Sequence, residues 1–407
     1  MGSRIYMDAN ATTPLLPEVV EAMRPFWMEQ FGNASSIHRQ GQHARAAVDH
    51  ARESIARLLN CRSSEIVFTS GGTESDNLAL FGVLQPLLNN PERPHLITTA
   101  IEHHAVLHAA ESLAERGADV TFLAPTASGL IEPEDLRAAM RPSTRLVSIM
   151  FANNETGTIQ PIAELAAIAH AGGALFHTDA IQAAAKLPLD LSPKGELKDV
   201  DLLSISGHKM YAPQGTGVLF VRRNTRLAPI FFGGNHERQR RPGTENVPGI
   251  VALGKAADLA RSWLIAPNAA GAGSANPTTL SSLRDRLEQG ILARVLEAST
   301  PGSGVNGAGT LRVPNTSNLY FDGVDAEALV IALDLKGLSI SGGSACQSGA
   351  TEPSHVLLAM GLTDARARSS IRISISRLTT EAEVDCALTL VPEAVARLRS
   401  LAAAKAS

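Results

Sequence analysis

Between residues 65 and 178 the chain alternates short apolar runs with segments whose apolar residues recur at helical spacing, and this alternation limits the folds open to it more than any other feature. The runs 65–69, 95–99, 119–123, 146–151 and 175–178 read as strands. The segments 77–88, 105–116, 133–140 and 162–170 read as helices between them. Strands joined through helices lie parallel, with helices over both faces, so an α/β fold with a mainly parallel sheet is expected. Ligands of such sheets gather at the carboxyl ends of the strands. Thr73, His103, Asn154, Asp179 and Lys209 are the polar residues that fall at those ends.

Two of these ends carry specific chemistry. The apolar run 200–203 leads into Ser204-Ile205-Ser206-Gly207-His208-Lys209-Met210, which puts Lys209 beyond a strand end among hydroxyl and glycine residues. Thirty residues upstream, Asp179 closes the run 175–178, with Gln182 just after it. An aspartate at one strand end and a lysine amine at another are what pyridoxal phosphate (PLP) needs: the amine holds it covalently, and the carboxylate keeps its ring nitrogen protonated. Taken singly, Lys209 fits a surface turn and Asp179 fits a helix N-cap; the pair shares one explanation. The turn Ser70-Gly71-Gly72-Thr73-Glu74-Ser75 lies between a strand and a helix. Amides and a hydroxyl there suit a phosphate, although the spacing is not that of a Walker A loop.

Composition removes other classes. A net charge of −4 argues against nucleic acid as the main partner. No run of 18 apolar residues occurs, so no membrane span is expected. The first residues lack a secretory pattern. The three cysteines, Cys61, Cys346 and Cys386, form neither a disulfide framework nor a metal spacing, which points to a reducing, cytoplasmic setting without a metal site. Cys61 and Cys386 read as packing residues. Cys346 does not: it centres the glycine- and serine-rich loop 339–349, expected to be mobile. The segment 17–30 reads as a helix kinked at Pro25, and 42–60 as an amphipathic helix. His104 and His108 read as solvated helix positions. Arg238, Arg240 and Arg241 lie close to Thr244 in a loop that reads either as lining a phosphate or carboxylate pocket, across a subunit interface, or as a solvated basic loop. After the helix 247–264 the low-complexity segment 266–277 marks a change of organisation. Beyond it come helices at 280–298 and 326–335 and strands at 318–321 and 370–374. Arg372 on the last strand either grips a carboxylate or points outward.

In order along the chain stand SGGTESDN, EHHAVL, NNETG, HTDAIQ, SGHKMY, RPGTENVPG, SGGSACQSG and SSIRIS. With these motifs the chain resembles the PLP-dependent cysteine desulfurases of the nitrogen-fixation and iron–sulfur assembly group, from Tyr6 to Val391. The resemblance implies fold type I of the PLP-dependent transferases: a large domain, residues 15–262, with a mainly parallel sheet of the seven-stranded type, and a smaller α+β domain, residues 1–14 and 263–407, carrying the cysteine loop. It implies a homodimer that takes sulfur from L-cysteine, releases L-alanine and leaves a persulfide on Cys346 for a scaffold or other acceptor protein. By the same resemblance Lys209 carries PLP, Asp179 pairs with its ring nitrogen and His103 stacks on the ring. Gln182 and Asn154 meet the phenolic oxygen side or the substrate. Gly72, Thr73, Ser206 and His208 hold the phosphate, with Thr244 reaching in from the other subunit, and Arg372 binds the substrate carboxylate. The competing expectation is another fold type I enzyme, an aminotransferase or β-lyase, which would not need Cys346.

Overall fold

The computed structural model of the chain describes residues 4–266, 276–297, 302–342 and 352–406. The strands in chain order are β1 (Ile5–Tyr6), β2 (Ile66–Thr69), β3 (His95–Thr99), β4 (Asp119–Leu123), β5 (Thr144–Ser148), β6 (Leu175–Asp179), β7 (Leu202–Ser206), β8 (Gly217–Val221), β9 (Ser303–Val305), β10 (Thr316–Phe321), β11 (Leu338–Ser339), β12 (Ser341–Gly342) and β13 (Ser370–Ser374). Seven of them form one sheet in the order β2-β8-β7-β6-β5-β3-β4. From β7 to β4 every neighbouring pair is parallel. β8 runs antiparallel to both β7 and β2, so it alone is reversed, and β2 keeps the direction of the rest. The reversal follows from the connection: β7 and β8 are joined by a single 3₁₀ turn and a loop, too short for a crossover helix. Together with the seven-stranded sheet this is the fold type I architecture.

Alternate residues of strands β2 and β7 enter different cores, as a period of two requires. Ile66, Phe68 and Leu203 join one cluster, packed with the helices Arg39–Leu58 and Val247–Leu264. Val67 and Leu202 join another, packed with Gly72–Leu84 and His104–Glu115. A third core lies elsewhere. Met7, Leu287, Ile291, Leu319, Ile371, Ile373 and Leu388 bury the antiparallel sheet β12-β13-β10-β9 against helices Pro277–Glu297 and Glu381–Ala406. Met7 belongs to this core and Leu16 to the large-sheet core, so the polar residues between them cross from one to the other.

Several element limits differ from the sequence reading. The expected helix 17–30 is two helices, Pro17–Met23 and Pro25–Met28, because Pro25 has no N–H to continue the ladder. The run 146–151 overshoots its strand: β5 ends at Ser148, while Ile149, Met150 and Phe151 stay buried outside it. The run 200–203 undershoots: β7 carries Ser204, Ile205 and Ser206, and Lys209 ends the 3₁₀ turn Gly207–Lys209 that follows.

Where the helices Arg39–Leu58 and Val247–Leu264 cross, Gly254 lets the backbones meet: a Cβ there would lie 2.6 Å from Ala51 Cα. Neither helix can yield without disturbing the sheet it covers. Gly254→Ala is therefore expected to destabilise the protein by about 1–3 kcal/mol, read as a lower urea midpoint, with an unchanged midpoint counting against this packing.

Candidate active site

At the carboxyl edge of the large sheet lies a cavity of about 300 Å³. Gly72, Thr73 and His103 line it from one side, Asp179, Gln182, Ser206, His208 and Lys209 from the strand ends, and Asn154 and Arg372 from the side of the smaller sheet. Residues that the sequence scatters over 300 positions thus meet in one place. Two named candidates do not join them. Thr244 is exposed and lines a separate cavity with Ser70 and Arg241. Cys346 and its loop fall outside the described residues.

Lys209 reaches the cavity because the turn Gly207–Lys209 bends the chain out of β7. Its Nζ donates to the backbone carbonyls of Asn10 at 2.5 Å and Ala11 at 2.6 Å. His208 shares a hydrogen bond with Thr12 at 3.1 Å, and burial and the Lys209 charge hold its imidazole down at about 4. The segment between Met7 and Leu16 therefore floors the site. Sequence reasoning passed over Asp8 and Asn10, since a short polar stretch without periodicity carries no local signal.

Asp179 ends β6 almost wholly buried, and its Oδ1 accepts from the Ile181 N–H at 2.8 Å. Turns rather than a helix follow, so Asp179 caps no helix. Burial pushes its carboxyl up to about 6, against the Ile181 N–H and the Lys209 charge, which lower it. Ile181 packs against Gly72: a Cβ on Gly72 would stand 2.1 Å from Ile181 Cδ1, so a larger residue there would have to push the Ile181 side chain aside. Gly72 and Thr73 form the first turn of the helix Gly72–Leu84, where backbone N–H groups lack intrahelical partners.

His103 is the N-cap of the helix His104–Glu115. Its Nδ1 accepts the Ala105 N–H at 3.1 Å, which leaves the ring proton on Nε2. Burial, followed by the Lys209 charge and the neighbouring histidines, holds it at about 4, so it is neutral at physiological pH. His104 is not the solvated residue expected: its ring lies 4.7 Å from that of His355 and 5.0 Å from that of His108.

Arg372 is buried and turned inward, not outward. Nη2 donates to Asp8 Oδ1 at 2.8 Å and Nη1 to the Asn154 carbonyl at 3.1 Å. The basic loop is less free than its charges suggest: Arg241 pairs with Glu74 at 2.8 Å. Of the remaining cysteines, Cys61 is half-buried, and burial pushes its thiol up to about 12. Cys386 is exposed on the last helix, contrary to its reading as a packing residue, because the apolar spacing there left its face toward solvent.

Pyridoxal phosphate fits these residues. Asn154 Oδ1 and Arg372 Nε are buried and without hydrogen-bond partners, and both residues line the cavity. The helix N-terminus at Gly72 and Thr73 suits a phosphate, the buried Asp179 carboxylate suits a protonated ring nitrogen, and the Lys209 amine is at hand.

Behind the site sits Glu102, fully buried. Its Oε1 accepts from Thr99 Oγ1 and from the Met150 N–H, each at 2.8 Å, while Oε2 has no partner. Burial pushes this carboxyl up to about 8 from 4.5, so it is protonated at neutral pH. The native state then holds a proton that the unfolded chain releases. Its contribution to stability is full below pH 4.5 and is lost as pH rises through about 8. Glu102→Gln imitates the protonated acid. Relative to wild type it is expected to flatten the fall in stability across that window, by on the order of 3 kcal/mol. Urea titrations at several pH values check this, and parallel curves for the two proteins would show that Glu102 is ionised in the fold.

Comparison with known proteins agrees with the geometry. Residues 5–386 match the family described as aminotransferase class-V. The chain is 47% identical over 402 residues to a protein named cysteine desulfurase from Trichormus azollae, covering 98% of this chain and 94% of that one. A solved structure described as a NifS-like protein superposes with a TM-score of 0.84 at 33% identity, covering 96% of this chain and 98% of the other. Another, described as SspA in complex with cysteine, superposes with a TM-score of 0.77 at 36% identity, covering 92% of this chain and all of the other (100%). The chain belongs to the aminotransferase class-V family, among relatives named cysteine desulfurases, and its cofactor is pyridoxal phosphate.

Proposed function

We propose that the chain is a cysteine desulfurase that takes sulfur from L-cysteine, releases L-alanine and leaves the sulfur as a persulfide on Cys346 for an acceptor protein. The observation that carries this reading is the convergence of an amine, a buried carboxylate, a helix N-terminus and a buried guanidinium on one cavity, Lys209, Asp179, Thr73 and Arg372. The named relatives supply the choice of substrate.

Bound PLP supplies an electron sink for the electrons released at the substrate α-carbon. The chain's own groups do the rest. Thr73, the amide of Gly72, Ser206 and His208 hold the phosphate, and Asp179 keeps the ring nitrogen protonated. His103 covers the ring, and Asn154 and Gln182 orient it. Arg372 holds the substrate carboxylate, and Lys209 Nζ takes the α-proton as general base. The Cys346 thiolate attacks the substrate sulfur: an S–S bond forms, the substrate C–S bond breaks, and its electron pair ends in a new C–H bond of alanine. No external oxidant is needed.

The assembly proposed is a homodimer in which Thr244 completes the partner's phosphate site. The exposed Trp27, Met28, Phe31 and Phe232 support such an interface. Residues 15–262 form the proposed large domain, and 1–14 with 263–407 the small one; the separate cores support this division. Among the described residues no helix is long and apolar enough to cross a membrane, and no cluster of three or more metal-ligating side chains occurs. A cytoplasmic site of action and a role in iron–sulfur cluster assembly complete the proposal, with neither nucleic acid nor membrane as partner.

Incubation of the purified protein with L-cysteine and a reductant should give sulfide and alanine in equal amounts; sulfide with pyruvate and ammonia in place of alanine would favour a β-lyase, and a 2-oxo acid that keeps its sulfur would favour an aminotransferase. Lys209→Ala is expected to remove the visible absorption of bound cofactor and to lower turnover at least about a thousandfold. A borohydride-reduced adduct on any other lysine would contradict this assignment. Cys346→Ser is expected to bind PLP and L-cysteine yet make no alanine. Brief cysteine exposure of the wild type should add about 32 mass units, one sulfur, to the peptide containing Cys346. Full alanine production by Cys346→Ser would make the thiol incidental.

A further inference from the structure

One buried base has no part in the chemistry above. Lys186 is 7% exposed, and its Nζ faces two neutral oxygens, Gln182 Oε1 at 2.6 Å and Asn10 Oδ1 at 3.1 Å. No carboxylate pairs with it among the described ion pairs. Burial, then the charges of Lys209 and Arg372, pulls its amine well below the usual lysine range. A neutral amine still has two N–H bonds, one for each acceptor, so the contacts hold in either protonation state.

These contacts decide which way the Gln182 amide faces. One end lies 3.1 Å from the Asn10 backbone carbonyl, which can only accept, so that end is the NH₂ group. The other end lies against Lys186, which donates. A reversed amide would set its oxygen against the Asn10 carbonyl oxygen and would give up the N–H bond it receives from Lys186. Asn10 cannot turn to free Lys186, since its own NH₂ donates to the Asn154 carbonyl at 3.0 Å and to Thr316 Oγ1 at 2.8 Å. Gln182 lines the cavity, and the bond to Asn10 uses one of its two N–H groups.

We propose that Lys186 is a positioning residue that locks the Gln182 amide with its oxygen inward, so that the cavity wall offers an N–H donor to a ring oxygen of the bound cofactor. This rests on the PLP reading given above. A donor at that wall favours an anionic ring oxygen; without Lys186 only the Asn10 carbonyl would hold the amide this way round, and the reversed form, which presents a lone pair, would be populated more.

The test uses PLP-loaded full-length protein carrying Lys186→Met or Lys186→Gln, each alone and combined with Gln182→Leu. Two quantities are read: the pH midpoint of the visible absorption band, and the dissociation constant for PLP added back to stripped protein. Lys186→Met is expected to raise the midpoint by about one pH unit and to weaken PLP binding about tenfold, the size of one lost charge-assisted hydrogen bond. Lys186→Gln keeps a donor and should move both less. Both effects should vanish in the Gln182→Leu background. An unchanged midpoint and affinity in Lys186→Met would overturn the proposal, as would equal shifts with and without Gln182. Should Lys186→Met fail to fold, the same comparison with Lys186→Gln decides. Absence of any visible band in the PLP-treated wild type would instead overturn the cofactor reading, and this inference with it.

Discussion

Asn10 uses every polar atom it has. Its N–H donates to Ser374 Oγ at 3.0 Å, and its NH₂ to Asn154 and Thr316. Its Oδ1 accepts from Lys186 and Asn315, and its carbonyl from Lys209 and Gln182. Both lone pairs on each oxygen and every N–H are engaged, so this one buried residue ties the smaller sheet to the turns that follow β6 and β7. A bond left unmade there would cost more than the bond contributes when made. The active-site floor is thereby fixed to two sheets at once, and the lysine amine inherits that position.

Around this floor the charges are sorted by burial. Glu102 and Asp76 lie behind the sheet edge fully buried. Burial pushes both carboxyls up, and the nearby Asp179 adds to the effect. His177 stands between Ser148 and Ser204, burial pulling it down to about 3. With Glu102 protonated and His177 neutral, the local field at Asp179 is left mainly to Lys209 and the ligand. The same desolvation that shifts these rear groups strengthens each interaction at the front.

The sheet was legible because parallel, doubly covered strands are written as runs of Val, Ile and Leu. Their ends were legible only in part. Ile149, Met150 and Phe151 are as apolar as the strand before them, and Ile149 and Phe151 still donate to the backbone carbonyls of His177 and Asp179 on β6, so composition does not mark where the regular strand stops. Lys209, Asp179, His103 and Thr73 stood out because each is polar just beyond such a run. Asp8 and Asn10 did not, because they act through backbone carbonyls and through partners more than 300 positions away in sequence. Lys186 was hidden for a different reason: at the end of Ala183-Ala184-Ala185 it resembles a solvated residue closing a helix. Arg372 stayed ambiguous until its strand's neighbours, Asn318 and Ser341, placed it in the middle of a sheet.

The pairing of Arg372 with Asp8 gives the cavity a resident counter-ion. A guanidinium buried alone would be costly, and the resting protein avoids this by lending it a carboxylate from its own amino-terminal segment. In the proposed role, an arriving carboxylate enters by exchange: it takes over a charge already desolvated and already oriented. A thiol without a carboxylate has nothing to exchange, so Asp8 keeps its place and the guanidinium gives that thiol no foothold. The chain segment that floors the site thus also sets the terms on which a small acid is distinguished from a neutral thiol.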